Sequence, residues 1–256
     1  MALIKNDIPI LEYDTNPTAI IMPRHEALPY RFPRKAVYAF LGEHIDEYAY
    51  AHDAKIIGRF VSATKLYPVY LISYKGQEIC LCQAPVGAAA AAQLMDWLIG
   101  YGVDTIISAG SCGALVDLPE NTFLVPTRAL RDEGTSYHYL PASRFVKLNE
   151  EVRQSMEQTL TDMGLPYTEC TTWSTDGFYR ETREKIEYRK SEGCSVVEME
   201  CSALAACAQF RGIRFGQLLF TADSLANLDA YDERSWGAES FAKALHLCLD
   251  LVAELR

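Results

Sequence analysis

The feature that most constrains this chain is an alternation: short apolar β-rich runs are followed, again and again, by segments of helical period. Residues 69–74 and 78–83 are β-rich runs separated by Lys75-Gly76-Gln77, the pattern of a hairpin. Pro85 and Gly87 precede a helical run over 88–99, which ends near Gly100 and Gly102. Residues 105–108 are a short apolar strand opening into a Gly-rich turn over 109–113, and 122–126 is a further strand. An amphipathic helix over 149–163 stops at Gly164 and Pro166, a strand follows over 168–172, and 180–190 is a charged helix. Residues 195–197 form a strand feeding an Ala-rich helix over 200–210 that Gly212 closes. An apolar strand over 213–221 and a terminal helix over 235–255 complete the series. Upstream, 23–33 reads as a loop and 37–46 as helical. Strands alternating with helices imply an α/β sandwich on a parallel or mixed sheet.

With 256 residues, no repeat and no Gly/Ser linker, the chain is expected to form a single domain over 1–256. A net charge of −10 repels nucleic-acid backbones and anionic membranes, so neither is expected as a partner. The eight cysteines are scattered without a CxxC pair, which points to reduced buried thiols and no zinc site. Residues 1–9 lack the apolar core of a signal peptide, and no apolar run reaches the roughly 18 residues of a membrane span. A soluble, cytoplasmic protein is expected.

In open α/β sheets ligands sit beyond the carboxyl ends of the strands. Three groups fall at such ends. Gly110 and Gly113 let a backbone approach a ligand and offer N–H groups to an anion, with Ser111 adding a hydroxyl; equally, they make a tight turn. Glu198-Met199-Glu200 supplies carboxylates that match the vicinal hydroxyls of a ribose, with Met199 as an apolar surface under the sugar. The alternative is a helix start whose acids favour the dipole. Asp223, after an apolar strand, suits an acid that protonates a leaving group, or else an N-cap. Phe178, in Thr175-Asp176-Gly177-Phe178-Tyr179, either stacks on a flat heterocycle or fills the core.

Four strings occur in order: Ser108-Ala109-Gly110-Ser111-Cys112-Gly113-Ala114, Ser174-Thr175-Asp176-Gly177-Phe178-Tyr179, Val197-Glu198-Met199-Glu200 and Thr221-Ala222-Asp223-Ser224. Together they resemble the nucleoside phosphorylase superfamily of uridine phosphorylases, hexameric purine nucleoside phosphorylases and related nucleosidases. The resemblance implies a three-layer α/β/α sandwich around a mixed, barrel-like central sheet, and a homo-oligomer, a dimer or a hexamer. It implies reversible phosphorolysis of the N-glycosidic bond of a purine or pyrimidine nucleoside in salvage. Inorganic phosphate is then a co-substrate, with no metal or organic cofactor. By the same resemblance Glu200 and Asp223 are catalytic. Met199, Glu198, Phe178, Cys112, Gly113 and Arg183 contact the nucleoside, and Ser111, Gly110, Arg24 and Lys65 contact phosphate.

The sequence also departs from the family. Phosphorolytic members carry a Gly-Asp-Pro-x-x-Arg-like loop near the N-terminus, where this chain has Met22-Pro23-Arg24-His25-Glu26-Ala27. They also carry an arginine where this chain has Ser108. Phosphate recognition normally uses arginine forks. Arg24, Arg31, Arg34 and Lys65 are the cations available to replace them. The rival readings are a nucleosidase that uses water, with Glu26 placing it, or an inactive nucleoside-binding homologue. Asp223 and Ser-Cys-Gly-Ala lean to purines; the Gln-x-Arg pair of uridine-specific members is absent in register from Arg180-Glu181-Thr182-Arg183, which leaves Arg183 to reach a pyrimidine carbonyl.

Overall fold

The computed structural model describes residues 3–255. A small antiparallel pair, β1 (Leu3–Ile4) and β2 (Tyr13–Asp14), opens the chain. The main sheet begins at β3 (Lys35–Ala39), followed by α1 (His44–Ala51). The single helix expected over 37–46 is therefore divided. β3 is buried and paired on both sides with parallel strands, so both of its faces are apolar and its period is ambiguous. Gly42, at φ +56, turns the chain into α1.

Next come β4 (Lys55–Val61), β5 (Leu66–Tyr74) and β6 (Gln77–Gln83), an antiparallel meander. Its expected β5–β6 turn is made by Lys75 and Gly76, at φ +48 and +75. The remaining elements are α2 (Ala88–Gly100), β7 (Thr105–Ala114), β8 (Phe123–Asp132), β9 (Phe145–Lys147) and α3 (Glu150–Asp162). They are followed by β10 (Thr168–Thr175), α4 (Arg183–Ser191), β11 (Val196–Glu198), α5 (Cys201–Arg211), β12 (Arg214–Ser224) and α6 (Phe241–Glu254). Asn149 caps α3 by accepting the Val152 N–H at 2.9 Å, and Gly212 ends α5 at φ +69.

Pairing runs β11-β10-β8-β12-β7, and β11 pairs back onto β7, so five strands close a ring. From β7 the sheet extends through β3, β6, β5 and β4. This is the mixed, barrel-like sheet that the resemblance implied. One face carries α1, α3 and α6, whose Ile45, Met156 and Val252 enter one apolar core. The other carries α2 and α5, whose Leu98 and Leu204 enter a second. The architecture is thus a three-layer α/β/α sandwich. All eight cysteines are buried and unpaired. Among the described residues no helix is long and apolar enough to cross a membrane.

Candidate active site

Three strand ends converge where the ring closes. Val197 of β11 lies opposite Gly113 of β7, and Ser224 of β12 lies beside Ala114. Around this junction is a cavity of about 180 Å³. It gathers Gly110, Ser111, Cys112 and Gly113 from β7, Glu198, Met199 and Glu200 from the β11–α5 junction, and Phe178 and Asp223. Nine of the residues expected at the site from sequence therefore share one chamber.

The expected glycine turn is not a turn. β7 runs unbroken from Thr105 to Ala114, and its partners from Ala109 to Cys112 lie in register on β12. The stretch is strand, so it forms no anion nest. Its glycines are needed for close approach instead. A Cβ on Gly110 would lie 3.3 Å from the Phe40 ring, and one on Gly113 would lie 3.0 Å from Leu225 and 3.2 Å from Asp223 Oδ1.

Glu198 and Glu200 are held differently. Glu198 is buried, and both of its oxygens are occupied. Oε1 accepts from Ser174 Oγ at 2.5 Å and Thr172 Oγ1 at 3.1 Å, and Oε2 accepts from the Glu200 and Cys201 N–H groups at 2.7 Å each. It thus caps the start of α5, which is the dipole alternative rather than a free ligand group. Burial raises its pKa, opposed by these hydrogen bonds. Glu200 accepts the Gly87 N–H at 2.5 Å, and Gly87 holds the left-handed φ of +102 that this approach uses. Burial first, then the neighbouring Glu198 charge, push Glu200 up to about 8.

In the same lining, Asp223 sits at an irregularity in the β12–β7 register between Thr221 and Ser224. Tyr231 donates to its Oδ2 at 3.1 Å. Burial raises the Asp223 pKa against that hydrogen bond. Phe178 is 44% exposed and Trp236 48%, so two aromatic rings line the chamber without filling the core. The Cys112 thiol is pushed up by burial and lies 3.4 Å from the Phe220 carbonyl, a packing role.

The structure does not bring every expected residue to the chamber. Arg24 is exposed and stands over the Tyr101 ring at 5.8 Å, and Glu26 is exposed in the same turn. Lys65 is exposed beside Tyr67 in the β4–β5 hairpin. Arg34 pairs with Asp104. Arg183 donates to the Leu228 carbonyl at 2.8 Å and to Asp229 at 2.6 Å. The first strand of the main sheet is β3, so the loop after it, beginning at Phe40, supplies the lining where 22–27 was expected to act.

Sequence reasoning missed Phe40, Glu181, Gln217 and Trp236. Gln217 had a signal: it is an amide in the middle of an apolar strand. It is 2% exposed, and its register partner is Ser108. Gln217 Oε1 and Ser108 Oγ are both buried without a hydrogen-bond partner. They form the polar rung two positions before Gly110 and Leu219, the next register pair on the same face. Glu181 carried no sequence signal. Burial first, then the Asp223 charge, push it up to about 7. The lining therefore holds Glu181, Glu198, Glu200 and Asp223, and no Lys or Arg among the described residues. Such a chamber suits a neutral ligand rich in hydroxyl and N–H donors.

A second hollow, of about 440 Å³, is lined by Trp97, Tyr139, Asp96 and Arg211. Its charges are spent on each other, with Arg211 donating to Asp96 at 2.7 and 2.8 Å.

A family model described as "Phosphorylase superfamily" matches residues 36–254. The guanosine phosphorylase of Halorubrum lacusprofundi is 25% identical over 202 residues, covering 76% of this chain and 84% of the relative. The purine nucleoside phosphorylase of Plasmodium vivax is 25% identical over 148 residues, covering 56% of this chain and 60% of the relative. The AMP nucleosidase of Bacteroides thetaiotaomicron has a similar fold, with a TM-score of 0.70 at 23% identity over 87% of this chain and 88% of that one.

Proposed function

The chain belongs to the phosphorylase superfamily, and from that premise we propose that it cleaves the N-glycosidic bond of a nucleoside. The observation that carries this reading is the pair of buried carboxyl groups lining one cavity, Glu200 fixed by Gly87 and Asp223 by Tyr231. In this reading Glu200 accepts hydrogen bonds from the vicinal sugar hydroxyls, with Met199 beneath the ring. Phe178 and Trp236 pack on the base. Asp223, held toward its protonated form by burial, delivers its proton to the base as the C1′–N bond breaks. The sugar gains oxocarbenium character, and an oxygen nucleophile then bonds to C1′. Fixing the sugar against that nucleophile is worth several kcal/mol of the barrier.

Phosphorolysis to free base and sugar 1-phosphate is the reading the named relatives favour. The phosphate would meet Ser111 and Gly110, and a cation from a neighbouring copy, Arg24 or Lys65 being candidates, would balance its charge. A cytoplasmic salvage role and a homo-oligomer of two or six copies belong to this reading. Hydrolysis is the second reading. It is favoured by the chamber's four carboxyl groups without a lining cation, and by the neutral rung of Ser108 and Gln217, whose unpartnered oxygens suit a water.

The test is base release from purine and pyrimidine nucleosides, with and without inorganic phosphate. Phosphate-dependent release with a sugar 1-phosphate product establishes the first reading. Equal release without phosphate establishes the second. No release under either condition overturns both.

A further inference from the structure

One carboxylate of the chamber has no part in the roles above. Glu181 lies between the short helical turn Phe178–Arg180 and α4, and both flanks fix its backbone. Arg180 N–H donates to the Gly177 carbonyl at 2.7 Å, and Thr182 caps α4 by accepting the Lys185 N–H at 3.4 Å. The side chain lines the cavity on the Asp223 side. Glu181 feels the Asp223 charge, and Tyr231, which holds Asp223, feels Glu181. Glu200 instead feels Glu198 and Asp176. Among the described residues no hydrogen bond or ion pair engages the Glu181 carboxylate, and its neighbour Arg183 is committed to Leu228 and Asp229. A half-buried carboxylate beside two aromatic rings, with no partner of its own, is built to meet donors on a ligand.

We propose that Glu181 reads the base, selecting a purine whose edge offers two adjacent N–H donors, the guanine pattern of N1–H beside a 2-amino group. The inference rests on the reading of Asp223 as the acid on the base side. A carboxylate has two acceptor oxygens, and guanine presents two parallel donors to it. Hypoxanthine offers one. Adenine and cytosine set a ring-nitrogen lone pair beside their amine, which repels one carboxylate oxygen. Uracil sets its single N–H between two carbonyls. A wrong base leaves Glu181 desolvated and unpaired, and that penalty, more than the gain with the right base, produces the selection. Donors from guanine also favour the ionised form that burial alone disfavours.

The experiment measures kcat/KM for base release from guanosine, inosine, adenosine and uridine, using the full chain, Glu181→Gln and Glu181→Asp, with thermal melting as the check on folding. The expected wild-type order is guanosine, then inosine, then adenosine. Glu181→Gln should lower guanosine kcat/KM roughly 10- to 100-fold, the discrimination expected of one bidentate pair, mainly through KM, and raise adenosine kcat/KM, because a neutral amide lifts the penalty and complements the adenine N1 and 6-amino group. Glu181→Asp, which keeps the charge but retracts it, should retain the guanosine preference at reduced kcat/KM. A wild-type preference for adenosine, or a ranking that survives Glu181→Gln, overturns the assignment of Glu181 while leaving the parent reading intact. No cleavage of any of the four with either acceptor overturns the parent reading itself.

Discussion

Two glutamates separated by one methionine do opposite work here. Glu198 has all of its acceptor capacity used by four donors inside the protein, whereas Glu200 accepts from the Gly87 N–H and lines the cavity. The acidic doublet itself is legible in the sequence, but the division of labour is not. It depends on Ser174 and Thr172 from β10 and on Gly87 ahead of α2, which only the folded sheet brings alongside. The two substitutions should therefore separate. Glu198→Ala strands two hydroxyls and two backbone N–H groups in the interior, and should lower stability by about 2–4 kcal/mol. Glu200→Ala should not lower the denaturant midpoint below that of the wild type but should lower turnover by roughly 100-fold or more, since orientation of the sugar is lost. Chemical denaturation beside base-release assays reads both. Equal loss of stability in the two variants would contradict the division.

Most elements were legible because their periods are clean. The hairpin of β5 and β6, the run of α2 and the capped start of α3 follow from alternation, Ala/Leu content and Asn149. Two elements were not. β3 is apolar on both faces, so its buried run mimics a helix, and the strand end that brings Phe40 to the cavity was hidden with it. In β7 the glycines suggested a turn, yet they serve as clearance for Phe40, Leu225 and Asp223 against a continuous strand. A glycine in a strand has a third use at Gly216, where α3 seats directly on β12. A Cβ there would press on Met156 Sδ and come within 2.8 Å of Val152 and 2.9 Å of Ile107. Gly216→Ala should lower stability by about 1–3 kcal/mol through overpacking, read as a lower melting temperature. An unchanged melting temperature would mean that α3 shifts freely and does not fix the position of β12.

At the scale of the molecule, a chain of net charge −10 folds four carboxyl groups into one small chamber, and the cost of doing so is written into its pH response. Nothing in the sequence reveals this, because Glu181 and Asp223 meet only when α4 and the end of β12 pack around the ring. Glu200 titrates at about 8 in the fold against an ordinary 4.5, and Glu181 at about 7. Between the ordinary and the folded values the native state keeps a proton that the unfolded chain has lost. Stability therefore falls as pH rises through that window, with a limiting slope of about 1.4 kcal/mol per pH unit for each such group. For Glu200 the window runs from 4.5 to about 8, and beyond either end it contributes no slope. Thermal melting of the ligand-free protein in pH steps across that window should show the slope. Glu200→Gln, which is neutral in both states, should flatten it and be relatively more stable than the wild type at the alkaline end. A wild type and a Glu200→Gln variant that melt with parallel pH profiles would mean that Glu200 is ionised in the fold at an ordinary pKa. The sugar-side carboxylate would then already be charged before substrate enters.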